Sequence, residues 1–299
     1  MISYRLKRSK GLTLIELLVA MAISGILIAA LYRTFIGQHR TYTVQEEVVD
    51  MQQNARVAIN RMMREIRMAG FGNAWNILPP YGLPFSAMGG PFSYIINPRD
   101  NQNTIIGHHD DQITIIGAFE QVSVLKTLTD GTNTIELVEK ADQFNLINRK
   151  YLCVGGLETH VVTAISGNTI TLDSNLLFNH RAGTPVFKVK AITYQLRWDN
   201  RNPNMPVLTR EDHTDGGGSQ VVAENIDNLQ FRYVLEDGSE SDSPADPSSI
   251  RMVRVTVHAR TSFSDLEFKS DPEFKVGVGG FRRRTIASNI LVRNMMLNP

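Results

Sequence analysis

The feature that most constrains this 299-residue chain is an apolar run near its start, from Leu12 to about Ile36. One carboxylate, Glu16, interrupts the beginning of the run, and Arg33 near its end has a stem long enough for its guanidinium to reach an aqueous interface. At about 1.5 Å per residue, a helix of this length comes close to spanning a hydrocarbon core of roughly 30 Å. We therefore predict a single transmembrane helix over residues 12–37.

A short basic leader, residues 1–11, precedes the apolar run and ends at Gly11. Its cationic residues are Arg5, Lys7, Arg8 and Lys10. Positive charge stays on the cytoplasmic side of a membrane, so the residues after the run are predicted to face outward. The net charge of the whole chain is +1. This near-neutral charge argues against wholesale nucleic-acid binding, and loss of the leader would bring it to about −3.

The leader and the apolar run have three interpretations. A secretory signal peptide would be cut after small residues such as those at 20–22, but that cut would leave residues 23–31 as an exposed apolar terminus. A simple membrane anchor requires no particular spacing of residues. The third interpretation depends on the five-residue step from Gly11 to Glu16, which neither of the other two requires.

The stretch at residues 10–20, Lys-Gly-Leu-Thr-Leu-Ile-Glu-Leu-Leu-Val-Ala, resembles the prepilin-type cleavage and methylation signature of type IV pilin-like proteins. The resemblance implies that a prepilin peptidase cuts between Gly11 and Leu12, that the freed amine of Leu12 is methylated, and that the apolar run is retained. The first mature residue in the family is usually phenylalanine, so Leu12 is a departure from the pattern. The implied location is the inner membrane, followed by a pilus or pseudopilus.

Glu16 has two interpretations. Thr13 and Glu16 have the spacing of a capping box, in which the glutamate side chain bonds the backbone amide of the cap residue. The resemblance to pilins implies instead an assembly role, in which this carboxylate offsets the N-terminal amine of a neighbouring subunit. A charge pair is much stronger in a low dielectric than in water, so such a contact would be substantial inside a filament.

The helical pattern continues beyond the membrane segment. Apolar residues recur at steps of three and four: Val44, Val48, Met51, Ala55, Ala58 or Ile59, Met62, Ile66 and Ala69. Polar residues, among them Arg61 and Glu65, fill the other face, and Gly70 supplies a stop. We predict an amphipathic helix over residues 38–70 with one buried stripe. A coiled coil is the alternative, which the shortness of the stripe disfavours.

After the helix the sequence changes character twice. Prolines and glycines crowd the chain from Phe71 to about Arg99, so residues 71–110 are predicted to form an irregular loop region. The resemblance to pilins implies that this loop meets neighbouring subunits. Residues 111–299 contain short β-branched segments separated by glycine turns, and the regular alternation at residues 250–260 is typical of a sheet with one covered face.

These patterns predict an α+β fold in which a long N-terminal helix packs on one antiparallel β-sheet, which is the pilin-like layout that the resemblance implies. A β-rich insertion is expected as a lobe near residues 135–188, within a soluble domain of residues 38–299. The single cysteine, Cys153, stands between Leu152 and Val154 and cannot form an intrachain disulfide. We interpret it as a small buried hydrophobe.

Three clusters contain residue types that could carry chemistry. His108–Asp111 includes metal-ligand types, but adjacent residues on a strand point in opposite directions. Asp237–Asp246 could wrap Ca²⁺ but lacks the residue order of an EF-hand, and Arg282–Arg284 could meet phosphate or a neighbour's carboxylates. In each case a solvated loop or surface is the favoured interpretation. We predict no metal site, no cofactor and no enzyme activity.

The segments Val221–Phe231 and Phe281–Asn294 resemble parts of the PilW-type minor pilins. The resemblance implies a minor pilin, a structural subunit incorporated into a type IV pilus or priming its assembly. Its implied partners are other pilins and minor pilins, the prepilin peptidase and the inner membrane, whereas nucleic acid is not expected. The alternatives are a J-type pseudopilin of a type II secretion system and a membrane-anchored, outward-facing binding module.

Overall fold

The structure, a computed structural model, describes residues 13–73, 85–87, 90–105, 108–214, 216, 218–265, 268 and 280–295. The chain divides into two compact units, Met1–Val49 and Asp50–Pro299. The leader and the predicted cleavage site at Gly11 and Leu12 lie outside the described residues, as does most of the Pro- and Gly-rich stretch between residues 74 and 89.

A single 55-residue helix, α1, runs from Leu14 to Met68. Its apolar side chains are exposed from Leu14 to Ile36, and it is long and apolar enough to cross a membrane by length and composition. Beyond residue 50 the buried side chains of α1 are Met51, Ala55, Ala58, Ile59, Met62 and Ile66. The predicted stripe is therefore confirmed from Met51 onward, while Val44 and Val48 are half-buried.

Nine antiparallel strands form the larger sheet. They are β3 (Ile96–Ile105), β4 (His108–Val124), β5 (Thr134–Glu136), β6 (Tyr151–Val154), β7 (Glu158–Ser166), β8 (Thr169–Leu172), β9 (Pro185–Trp198), β10 (Pro206–Asp212) and β11 (Ser219–Glu224). β9 is central: one edge pairs with β4, while the opposite edge pairs with β10 towards its end and with β6 towards its start. β11 continues the sheet beyond β10, and β7, β8 and β5 continue it beyond β6.

A separate four-stranded antiparallel sheet follows. It consists of β12 (Ile226–Leu235), β13 (Glu240–Ser241), β14 (Ile250–Arg260) and β15 (Arg283–Leu291), in the order β13-β12-β14-β15. The valines at 253, 255 and 257 are fully buried, as the alternation predicts. Our expectation of one sheet was wrong, because periodicity shows which face of a strand is buried and not which strand lies beside it.

The region predicted to be a loop contains three strands. β1 (Phe85–Ala87) and β2 (Gly90–Phe92) form a small hairpin, and β3 pairs with β4 from Ile96 onward. Pro98 lies within β3, opposite Ile113. Proline is tolerated there because β3 pairs on one side only, so a ladder hydrogen bond is not lost. Pro98 therefore lies in an edge strand and not in a structureless segment.

The predicted β-rich insertion corresponds to β5, β6, β7 and β8. These strands enclose a cluster of buried apolar side chains: Val122, Leu125, Ile135, Leu137, Ala141, Phe144, Leu152, Val154, Val162, Ile170, Leu172, Leu176 and Val186. Since β6 pairs with β9 at Leu152–Val154, the insertion is hydrogen-bonded into the nine-stranded sheet. The pilin-like layout of a long helix on an antiparallel sheet thus carries additional strands.

The end of α1 lies directly on β4. Gly70 takes the left-handed conformation (φ 79°), and its N–H donates to the carbonyl oxygen of Ile116 over 2.8 Å. A Cβ atom at Gly117 would lie 2.8 Å from the carbonyl oxygen of Met68, so only glycine permits this approach. The Asn294 side chain donates to the carbonyl oxygen of Ala69 over 3.1 Å and so caps the helix from the far end of the chain.

Candidate functional site

The first turn of α1 forms a capping box. The backbone N–H of Thr13 donates to Glu16 Oε2 over 2.8 Å, and the Thr13 hydroxyl donates to the same oxygen over 2.9 Å. In return, the N–H of Glu16 donates to Thr13 Oγ1 over 3.4 Å. Within residues 13–73 these bonds use one carboxylate oxygen, so capping by itself does not occupy the whole carboxylate.

The surface around Glu16 is apolar. Its large apolar side chains, all exposed, are Leu14, Ile15, Leu17, Leu18, Val19, Met21, Ile23, Ile26, Leu27, Ile28, Leu31, Tyr32, Phe35 and Ile36. The least exposed of them, Ile36, still has a relative exposure of 49%. Such a continuous apolar surface requires a cover of lipid or of other helices. Under either cover Glu16 is an ionisable group in a low-dielectric setting, where it requires a partner.

The predicted His-His-Asp-Asp cluster has a structural role. Asp110 Oδ1 accepts from the N–H of Leu229 over 3.3 Å, and Asp111 Oδ2 accepts from the N–H of Phe231 over 2.7 Å. These carboxylates occupy the edge of β12 where a further strand would pair, and so they join the two sheets. Burial raises the pKa of Asp111 to about 6, although its backbone hydrogen bonds act in the opposite direction. Among the described residues, no three His, Cys, Asp or Glu side chains form a metal-binding group.

The acidic run after β12 consists of turn and ion-pair residues. Asp237 accepts from the N–H of Ser239 over 2.9 Å, and Asp242 pairs with both ends of the Arg232 guanidinium at 2.9 and 3.1 Å. Asp246 accepts from the N–H of Ser248 over 3.0 Å and caps a short 3₁₀ turn. The carboxylates are therefore used within a hairpin tip and a turn.

Three consecutive arginines, Arg282 just before β15 and Arg283 and Arg284 within it, have different environments. Arg283 is buried, and its Nε donates to Asp227 over 2.8 Å. Arg282 donates to Asp265 over 3.1 Å, while Arg284 is exposed. Alternation along the strand places them on different faces, so they do not form one phosphate-binding patch.

Glu65 is a half-buried network residue that the sequence pattern placed on the solvent-facing side of the helix. Its carboxylate accepts from Arg210 Nε at 3.1 Å, from Arg61 Nη2 at 2.9 Å, and from the Tyr194 hydroxyl at 2.7 Å. Burial and the charge of Glu65 raise the pKa of Tyr194 above its usual range. The spacing of Arg61 and Glu65 at i and i+4 was the available signal, and it indicated only a surface pair.

A second missed network lies in the β insertion. Glu158, which is fully buried, accepts from His160 Nε2 at 2.8 Å, from His180 Nε2 at 2.6 Å and from the N–H groups of Leu177 and Phe178. Burial alone would raise the pKa of Glu158, but these bonds hold it below its usual value. Nearby Cys153 is fully buried, as predicted, and burial raises the pKa of its thiol to about 11.

The N-terminal segment of the chain matches a known family model. Residues 6–32 match a family model described as the prokaryotic N-terminal methylation motif. No curated protein and no solved structure matches the chain. The motif implies processing by prepilin peptidase and assembly with other pilins, and it points to a structural protein and not to an enzyme. The motif and the apolar helix fit a membrane-anchored protein, and together they support a type IV pilin-like or pseudopilin-like subunit.

Proposed function

We propose that the chain is a minor pilin, a structural subunit that enters a type IV pilus or primes its assembly. The observation that supports this most directly is the Glu16 carboxylate, held at the start of an exposed apolar helix inside the methylation motif. A carboxylate in a dry helical bundle requires a cation. The N-terminal amine of a neighbouring subunit has the required charge, and the same processing step exposes it.

The proposal includes a route for the chain. Its basic leader, residues 1–11, stays cytoplasmic, residues 12–37 span the inner membrane once, and the soluble domain of residues 38–299 faces the periplasm. Prepilin peptidase then cuts between Gly11 and Leu12, and the amine of Leu12 is methylated. The mature subunit leaves the bilayer and packs its apolar helix among those of other pilins and minor pilins.

The experiment compares Glu16→Gln with Glu16→Ala in cells that carry the full chain. Gln preserves the shape of the side chain and an acceptor for the cap but removes the charge, whereas Ala removes both. If the carboxylate pairs with an amine, both variants should be cleaved and inserted normally, yet Gln should be nearly as impaired in assembly as Ala. The measurement is the amount recovered in sheared filaments relative to the amount left in the membrane.

Glu46→Gln is the matched control, because Glu46 is an exposed residue of the same helix outside the apolar segment. Its recovery should equal that of the parent. Parental recovery of Glu16→Gln would assign Glu16 to helix capping alone and contradict the assembly role. If the Glu16 variants impair protein secretion but leave pili intact, the result would support the J-type pseudopilin. A parent that never leaves the membrane fraction would support the anchored binding module.

A further inference from the structure

Among the described residues, no strand pairs with the outer edge of β11. β11 is the terminal strand of its sheet and pairs with β10 through residues 219–224. An edge strand presents backbone N–H and C=O groups on its outer side, and proteins usually protect such edges with lysine, proline or short length. Residues 219–223 of β11, Ser-Gln-Val-Val-Ala, contain neither charge nor proline.

Several other edge strands among the described residues are short or carry charge or proline. β5 has three residues and β13 has two, which leaves little length for pairing. β3 contains Pro98, Arg99 and Asp100, and β15 begins with two arginines. The last seven residues of β15 are also free of charge and proline, so the feature that distinguishes β11 is the groove beside it.

A groove of about 490 Å³ lies beside this edge. Its lining residues come from α1, β10 and β11. They are Val57, Asn60, Arg61, Arg64, Arg210, Gln220, Val221 and Val222. Val57 and Val221 have relative exposures of 51% and 50%, so the groove offers apolar contact as well as polar groups. All of these residues belong to the second unit.

The groove carries an excess of positive charge. Three guanidiniums line it, those of Arg61, Arg64 and Arg210, and the described part of the lining contains no carboxylate. The neighbouring Glu65 is shared between Arg61 and Arg210, so one negative charge serves two positive ones. Arg64 is exposed, and its Nε donates to the carbonyl oxygen of Asn60, a bond that leaves its charge unneutralised. The chemistry complementary to this lining is a carboxylate.

The strand register shows where such a carboxylate would lie. Tyr194, Arg210 and Gln220 lie opposite one another across β9, β10 and β11. Directly opposed residues share a face of the sheet, and the Tyr194 and Arg210 side chains both reach Glu65 on the helix. A strand added beside β11 would continue this row with its own side chain, on the same face as the arginines of α1.

We propose that β11 is a docking edge for an extended, acidic segment of another polypeptide, which adds as a strand and places a carboxylate against Arg64 and Arg61. Backbone hydrogen bonds to β11 supply a sequence-independent part of the affinity, and the arginines select an acidic side chain at one position. The inference concerns only the second unit and does not depend on assembly into a filament, so it can fail or succeed separately.

The test uses the full chain in detergent micelles and two blocked heptapeptides of alternating valine and threonine. One has a glutamate at its centre and the other a lysine. Hydrogen–deuterium exchange followed by mass spectrometry reports backbone protection, and fluorescence anisotropy of labelled peptides reports affinity. The glutamate peptide should slow exchange across residues 219–224 and bind about five- to tenfold more tightly than the lysine peptide.

Arg64→Glu is the decisive variant, with Arg56→Glu as its control, because Arg56 is an exposed arginine of the same helix that does not line the groove. Arg64→Glu should reverse the preference between the two peptides, and Arg56→Glu should leave it unchanged. Exchange at residues 219–224 that neither peptide alters would overturn the proposal. Equal affinity for the two peptides would also overturn it. Dimerisation through β11 without peptide would overturn it too, because the edge would then belong to a second copy of the chain.

Discussion

The two halves of α1 follow the same helical periodicity but use their apolar residues in opposite ways. From Leu14 to Ile36 apolar side chains surround the helix and are exposed, whereas beyond residue 50 they form one buried stripe. The first half offers generic surface that lipid or other helices can cover. The second half is fixed by specific contacts, among them Gly117 beneath its end and Glu65 on its side. The position of the second half therefore depends on the shape and charge of particular residues, whereas most of the first half needs only apolar composition.

The largest expected effect comes from placing a charge in each half. Ile66→Asp should unfold the second unit or lower its stability by about 4 kcal/mol, because Ile66 is fully buried and the aspartate would be unpaired. Ile26→Asp should leave unfolding of that unit unchanged, because Ile26 has a relative exposure of 72%, but should reduce membrane insertion. Thermal unfolding of the full chain in detergent measures the first effect, and membrane fractionation the second. Similar melting of Ile66→Asp and the parent would show that the buried stripe is misassigned.

A smaller effect is expected from adding one methyl group. Gly117→Ala should cost about 2–3 kcal/mol, since its Cβ would lie 2.8 Å from the Met68 carbonyl oxygen and the helix end would have to shift. Gly25→Ala is the matched control, because nothing lies within 4 Å of a Cβ at Gly25. Chemical denaturation of both variants tests the difference. An unchanged midpoint for Gly117→Ala would mean that the helix does not need its close approach to β4.

The smallest expected effect on stability distinguishes the carboxylate of Glu65 from that of Glu16. Glu65→Gln should lower the stability of the second unit by about 1–2 kcal/mol, because Arg210 and Arg61 lose the charge that they share. Glu16→Gln should leave the same denaturation curve unaltered, since Glu16 bonds Thr13 within the first turn of the helix. A Glu16 variant that weakens the second unit would contradict the division of roles between the halves. Equal stability of the parent and Glu65→Gln would place Glu65 at the surface, as the sequence pattern suggested.

The sequence allowed prediction of those features that depend on residues close together in the chain. The capping box of Thr13 and Glu16, the buried stripe and the burial of Cys153 all follow from local spacing. The role of Glu65 could not be predicted, because its partners Tyr194 and Arg210 are 129 and 145 positions away. A helical pattern gives the angle of a side chain around the axis but not what lies opposite it.

The same limit explains the errors in the sheet region. The pattern identified strand-forming segments, but it could not indicate that Asp110 and Asp111 would take the place of a pairing strand beside β12. Carboxylates next to histidines indicate a metal site as readily as a backbone acceptor, and only the position of Leu229 and Phe231 decides between them. Pro98 of β3 was misleading in a similar way, since the effect of a proline depends on whether its strand lies at an edge.

The cap that Asn294 places on Ala69 joins residues 225 positions apart. A ribosome adds residues in order, so this bond cannot form until nearly the whole second unit has been synthesised. Until then, the carbonyl group of Ala69 has water as its partner while the strands between the two residues assemble. Contacts of such long sequence separation slow folding, because the loop between them must close first. The last turn of α1 is accordingly expected to become ordered late, after the nine-stranded sheet has formed.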